Sequence, residues 1–246
     1  MERRVRSKVT NMLWYKGWLE TRIRLLMSLG YAGGILLVAF LNRNTAPPPG
    51  ARLAATFGLI AASFVLVFSP FLAGAGIATQ SAFKVTKGLH GSMQFTLSLP
   101  VSRLRLLAVR AGLGWLEFAG VIGAFCWSEW LVMPATRWEP ATALDMFAFA
   151  IALIVCASPL YFISALLATF LDEQTRMGGT MITCLGLWLL STHAPVPASA
   201  NIFRAVMGAG SPLVAHTMPW SAMAFSLGLA ATLFLAALKI ARAREY

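Results

Sequence analysis

The chain predicts an all-α integral membrane fold with six transmembrane helices. Three observations carry this. First, 58% of the 246 residues are hydrophobic and only 12% are charged, whereas a soluble domain is about half apolar and about a quarter charged. Halving the charge at constant length leaves too little polar surface to face water, and a mean hydropathy of +0.72 agrees. Second, the charge is gathered into short segments beside long uncharged runs. Third, the basic segments fall alternately along the chain, as the two sides of a membrane require. A net charge of +11 in a soluble protein would suggest nucleic acid. Gathered this way it reads as membrane orientation and contact with anionic lipid, and no nucleic-acid partner is expected.

Residues 1–24 are basic, with Arg3, Arg4, Arg6, Lys8, Lys16, Arg22 and Arg24 against Glu2 and Glu20. A signal peptide is not expected: this n-region is too long, and LNRNTAPPPG offers no cleavage site. Lys16, Glu20 and Arg24 recur every fourth residue as a polar stripe, and Met12, Tyr15, Leu19, Ile23 and Leu26 form an apolar one. Trp14 and Trp18 flank it. The pattern predicts an amphipathic helix lying in the headgroup layer; the alternative is an extended start of the first span.

The first span is expected over 25–41, at the short end of what crosses about 30 Å of hydrocarbon. Asn42 to Arg52, with Pro47, Pro48, Pro49 and Gly50, is a tight connection. The second span, 53–79, carries Pro70, expected to kink it. Phe83–Arg110 follows, with Lys84, Lys87, Arg103, Arg105 and Arg110 and no acid. Within it Leu99-Pro100-Val101-Ser102-Arg103 reads as a helix stop followed by a helix start. The third span, 106–127, carries Glu117 well inside. Ser128 to Ala143 is expected to be a loop holding Glu129, Arg137 and Glu139, with Trp127, Trp130 and Trp138 as an interfacial belt. The fourth span is 144–171, with Asp145 at its start and Pro159 inside. Asp172 to Arg176 reads as a short polar turn, and 177–190 as the fifth span, the shortest. Prolines divide Ser191–Trp220, and Ile202, Phe203, Val206 and Met207 form one apolar face behind a Ser199 cap. One or two short helices dipping into the outer leaflet are expected there. The sixth span is 221–238, followed by Lys239, Arg242 and Arg244.

Six spans put both termini on one side, with sixteen Lys and Arg there and four opposite. That asymmetry makes the richer side cytoplasmic. One membrane domain covers residues 1–246.

The chain holds no GxxxxGK[ST] phosphate loop, no HExxH and no GxSxG elbow. Cys126, Cys156 and Cys184 lie inside apolar runs without metal-ligand spacing and read as packing residues. No catalytic, cofactor or metal residue is expected. Glu117 and, at an edge, Asp145 are the ionisable groups nearest the bilayer interior, where a charge usually faces a polar cavity or a partner. For Glu117 two readings stand: a group lining a substrate path, or a carboxyl hydrogen-bonded between helices. Glycines at 30, 33, 34, 74, 76 and 123 allow close helix packing.

The layout resembles the permease subunits of six-span, type 2 ATP-binding-cassette exporters. Trp14-Tyr15-Lys16-Gly17-Trp18-Leu19-Glu20-Thr21-Arg22 is similar to the elbow helix that opens those chains. Gly91-Ser92 and Leu99-Pro100-Val101-Ser102-Arg103 are similar to the signature after their coupling helix, between spans two and three. Pro195–Trp220 is similar to their short re-entrant helices before span six. The resemblance covers nearly the whole chain. One departure stands out: relatives often carry an acid just before the Gly-Ser pair, where this chain has Lys84, Lys87 and His90.

The resemblance implies a cytoplasmic (inner) membrane exporter subunit of the bacterial type, multi-pass, with both termini cytoplasmic. ATP and Mg would bind a separate ATPase, so this chain would be no enzyme. A second permease copy, identical or related, would complete the path for an amphipathic, drug- or lipid-like substrate. Phe83, Lys84, Lys87, His90, Gly91, Ser92, Pro100 and Arg103, with Asp172 and Glu173 in the other cytoplasmic turn, would couple to the ATPase. Glu117 and Asp145 would border the substrate path. The elbow would use Trp14, Lys16, Trp18, Glu20 and Arg22. Two other classes remain open from the residues: an ion-coupled secondary transporter, and a membrane-embedded enzyme acting on lipid.

Overall fold

The computed structural model describes residues 2–41, 64, 65, 68, 102–132, 142–171, 173–197, 199–208 and 210–243. Every regular element among them is helical. They are α1 (Glu2–Leu41), α2 (Arg103–Val132), α3 (Ala143–Leu167), α4 (Glu173–His193), α5 (Ile202–Met207), α6 (Pro212–Ala215) and α7 (Trp220–Ala243). Phe64, Val65 and Phe68 are helical as well. Segments Leu104–Leu131, Ala143–Leu167 and Trp220–Ala243 are long and apolar enough to cross a membrane. The described residues are all-helical in their regular structure and include three helices of a length and apolarity suited to a membrane.

α1 is one unbroken helix of 40 residues. The basic stretch and the first span were expected as two elements; the backbone runs through both as one helix. Its apolar part, Leu25–Leu37, is too short to span by itself. Trp14 packs against a small cluster of Leu106, Leu107, Val109, Ala237 and Ala241, and α1 lies along α2. Tyr15 and Trp18 stay exposed.

α2 begins where the Pro100-Val101-Ser102 break predicts. The Ser102 side chain accepts from the Arg105 N–H at 3.3 Å, as a capping residue does. Its C-terminal end differs from expectation. The helix runs on to Val132, so Ser128, Glu129 and Trp130 are helical rather than loop. The apolar stripe through Phe118, Ile122 and Phe125 continues into that turn and holds it against the core.

α3 opens on a capping box: Thr142 accepts from the Asp145 N–H, and the Asp145 carboxylate accepts from the Thr142 N–H at 2.9 Å. It ends at Leu167, four residues before the expected boundary, and a turn carries the chain through Phe170. Pro159 sits inside it, beside Ser158, whose hydroxyl donates back to the Ile154 carbonyl at 2.8 Å. α2 and α3 run antiparallel. The Tyr161 hydroxyl donates to the Ala111 carbonyl at 2.8 Å, and the Trp115 indole donates to Ser158 at 2.9 Å. α7 packs along α3, with Phe162 and Phe234 in ring contact.

α4 starts at Glu173, so Glu173 to Arg176 form its first turn instead of a polar connection. The proline-divided segment forms two short helices, as expected. The first is capped by Asn201, which accepts from the Arg204 N–H at 2.9 Å, while Ser199 is exposed in the preceding turn. Asn201 takes the capping role because its side chain also donates to the Ser191 carbonyl at the end of α4. Ile202, Phe203, Val206 and Met207 pack on the core as the spacing predicts. Together with Val65, Leu153, Cys156, Ala157 and Leu160 they line an apolar pocket of about 30 Å³. Cys126, Cys156 and Cys184 are buried free thiols.

Candidate functional site

Span-forming helices are built from apolar residues, so the polar groups they bury mark where the fold departs from packing alone. One layer of them crosses the bundle. Thr21 of α1 is buried and donates its hydroxyl to Glu117 of α2, itself 7% exposed. The bond joins two helices, which is the interhelical reading of Glu117. Tyr161 of α3 is fully buried and lies within electrostatic range of both Glu117 and Arg176. Arg176 of α4 is 1% exposed and donates to Ser164 of α3 at 3.4 Å. Together with the Tyr161 bond to the Ala111 carbonyl, these contacts tie α1 to α2, α2 to α3 and α3 to α4. A buried charge is tolerable when an opposite charge and hydrogen bonds compensate it.

Arg176 is the residue that sequence reasoning placed differently. In a polar turn it would sit among headgroups. Because α4 begins three residues earlier, the side chain turns into the bundle beside Ser164. Thr180, also fully buried, donates back to the Arg176 carbonyl at 2.8 Å, one turn further along.

The second group lies at the other end of α2 and α3. Asp145 belongs to the α3 cap and faces His216, whose Nδ1 is 3.1 Å from its carboxylate. His216 has φ 51°, the left-handed region, and closes α6. The pair fastens the short helices to the start of α3. Asp145 is thus a fastening residue at the span's edge, apart from the Glu117 layer. Glu129 near the end of α2 is completely buried, and neither carboxyl oxygen has a hydrogen-bond partner among the described residues. The stripe spacing from Phe118 through Phe125 was the signal that could have placed it inside.

The predicted coupling residues fall mostly elsewhere. Phe83, Lys84, Lys87, His90, Gly91, Ser92, Pro100 and Asp172 lie outside the described residues, as does nearly all of the second span with Pro70. Arg103 is the first residue of α2 and Glu173 the first of α4. In the predicted elbow, Trp14 is half-buried on the bundle while Trp18 and Arg22 are exposed; Lys16 and Glu20 are described by backbone only. No three acidic, His or Cys side chains group to hold a metal among the described residues. The chain matches no known family, no characterised protein and no solved structure.

Proposed function

We propose that the chain is the transmembrane permease subunit of an ATP-driven ABC exporter in a cytoplasmic (inner) membrane, with six spans and both termini cytoplasmic. The observation that carries the reading is the Leu99–Arg103 element opening a long apolar helix at Ser102–Arg103. Two short proline-bounded helices before the last long helix support it. Nucleotide chemistry belongs to a separate ATPase pair, and two permease copies enclose the path. The basic segment before Arg103 docks on the ATPase, whose closure on ATP pushes the start of α2. Since α2 is tied to α1 by Thr21–Glu117 and to α3 by Tyr161 and Trp115, such a push moves three helices as one body. The substrate is amphipathic.

The test is co-purification from native membranes followed by reconstitution. An ATPase subunit is expected to accompany the chain, with ATP turnover that depends on it. Absence of both ends the exporter reading.

The Glu117, Tyr161 and Arg176 layer favours a second reading, an ion-coupled transporter working alone. Transport that survives complete ATP depletion but stops when the ion gradient is collapsed would select it.

A further inference from the structure

Glu129 is the buried group that the proposed coupling leaves unused. Its side chain is 0% exposed, and among the described residues neither carboxyl oxygen meets a donor. The indole N–H of the adjoining Trp130 is buried and likewise without an acceptor among the described residues. An uncompensated carboxyl is among the most costly groups a membrane helix can carry, and such groups are retained for ligands, ions or protons.

Its direction follows from helix geometry. Phe118, Ile122, Phe125 and Glu129 are spaced by four, three and four residues, one face of α2. The first three are core residues, so the carboxyl points to the same interior side. One turn before it, about 6 Å along the axis, Phe125 stacks on Phe64 with centroids 4.0 Å apart. Phe64 adjoins Phe68 at 4.5 Å, and Phe68 adjoins Tyr31 at 5.0 Å. A ladder of four rings from three parts of the chain thus ends one helical turn from an uncompensated carboxyl.

Ring faces attract cations, most strongly where water is excluded, and a carboxyl supplies the counter-charge. A small metal ion wants a shell of oxygen ligands. An organic cation wants what this face offers: one acid and several aromatic surfaces. We propose that Glu129 and the adjoining ring ladder bind the charged end of an amphipathic organic cation, as the recognition element of the transport path. The inference takes only the transport role from the reading above, and none of the ATPase coupling.

The experiment uses the full chain in nanodiscs of zwitterionic lipid, with no ATPase present. Tetraphenylphosphonium is the probe, and tetraphenylborate, of the same size and shape with opposite charge, is the control. Empty discs subtract partitioning into lipid. Saturable tetraphenylphosphonium binding is expected, weakened at least tenfold in Glu129→Gln and largely kept in Glu129→Asp. Tetraphenylborate uptake should be equal in all three. Wild-type binding no greater than empty discs, or Glu129→Gln binding as well as wild type, overturns the proposal. Should Glu129→Gln fail to fold, Phe125→Leu decides: a several-fold loss is expected, and unchanged affinity overturns it. Failure here leaves an associated ATPase unexplained but intact, and failure of an ATPase to co-purify leaves cation binding standing.

Discussion

Thr21 and Glu117 meet across two helices that are 96 residues apart in sequence. Hydrogen bonds between membrane helices average about 0.6 kcal/mol and reach about 1.7. This one has a carboxyl acceptor in a dry setting, which places it at the upper end. A double-mutant cycle of Thr21→Val and Glu117→Gln, read by reversible unfolding in detergent, should give about 1 kcal/mol of coupling. Additive single effects would dissolve the link. Ser158 poses a cleaner case, because its hydroxyl accepts from Trp115. Ser158→Ala leaves an indole N–H without its acceptor and should cost about 1–3 kcal/mol. Adding Trp115→Phe should recover much of that loss, since both polar groups are then gone. Among single residues, the chemistry was half legible. Glu117 stands in an uncharged run and announces itself. Glu129 sits among Trp127, Ser128 and Trp130 just before Pro134, a composition that imitates an interfacial loop. Only its register with Phe125 and Ile122 tells that the helix continues under it.

α1 shows what a sequence does at a boundary between charge and oil. Polar and apolar stripes fill its first half and apolar residues its second, yet no Gly-Pro or Asn-Pro break lies between them, so nothing stops the helix. A proline at an exposed position inside such a rod removes one backbone bond and clashes with the preceding turn, at about 3 kcal/mol or more. Arg22→Pro should therefore lower thermal stability sharply, since the Arg22 side chain itself is exposed. A wild-type melting temperature would mean that the helix bends there, as a separate elbow requires. The long apolar runs made α2, α3 and α7 readable, since each holds a stretch long and apolar enough to cross a membrane. α5 and α6 were readable from prolines. The start of α4 was not, since Asp172 to Arg176 is polar enough for a turn, and the helical state of Glu173 to Arg176 goes with burial of Arg176. At the other end, Asp145 serves both the Thr142 cap and His216. Asp145→Ala should cost about 1 kcal/mol through the cap and loosen α6, read as faster hydrogen exchange confined to that segment.

Across the whole molecule, the cysteines are well suited to a topology experiment. All three are buried, so a membrane-impermeant maleimide should leave the native chain unlabelled in intact cells. Ala143→Cys, exposed at the start of α3, should label from outside. Ala243→Cys, exposed at the end of α7, should label only after permeabilisation. The reverse pattern would invert the proposed orientation. Membrane insertion itself is constrained by Arg176. An arginine near the middle of a helix costs about 2.5–3.5 kcal/mol when the bilayer first receives it; one in the first turn costs less, but α4 falls outside the segments apolar enough to cross unaided. Its guanidinium finds Ser164 only on the helix just made. α4 is therefore a passenger: synthesised second, it enters the lipid with α3 already alongside. Behind a soluble reporter α4 alone should remain in water, whereas α3 and α4 together should insert as a hairpin.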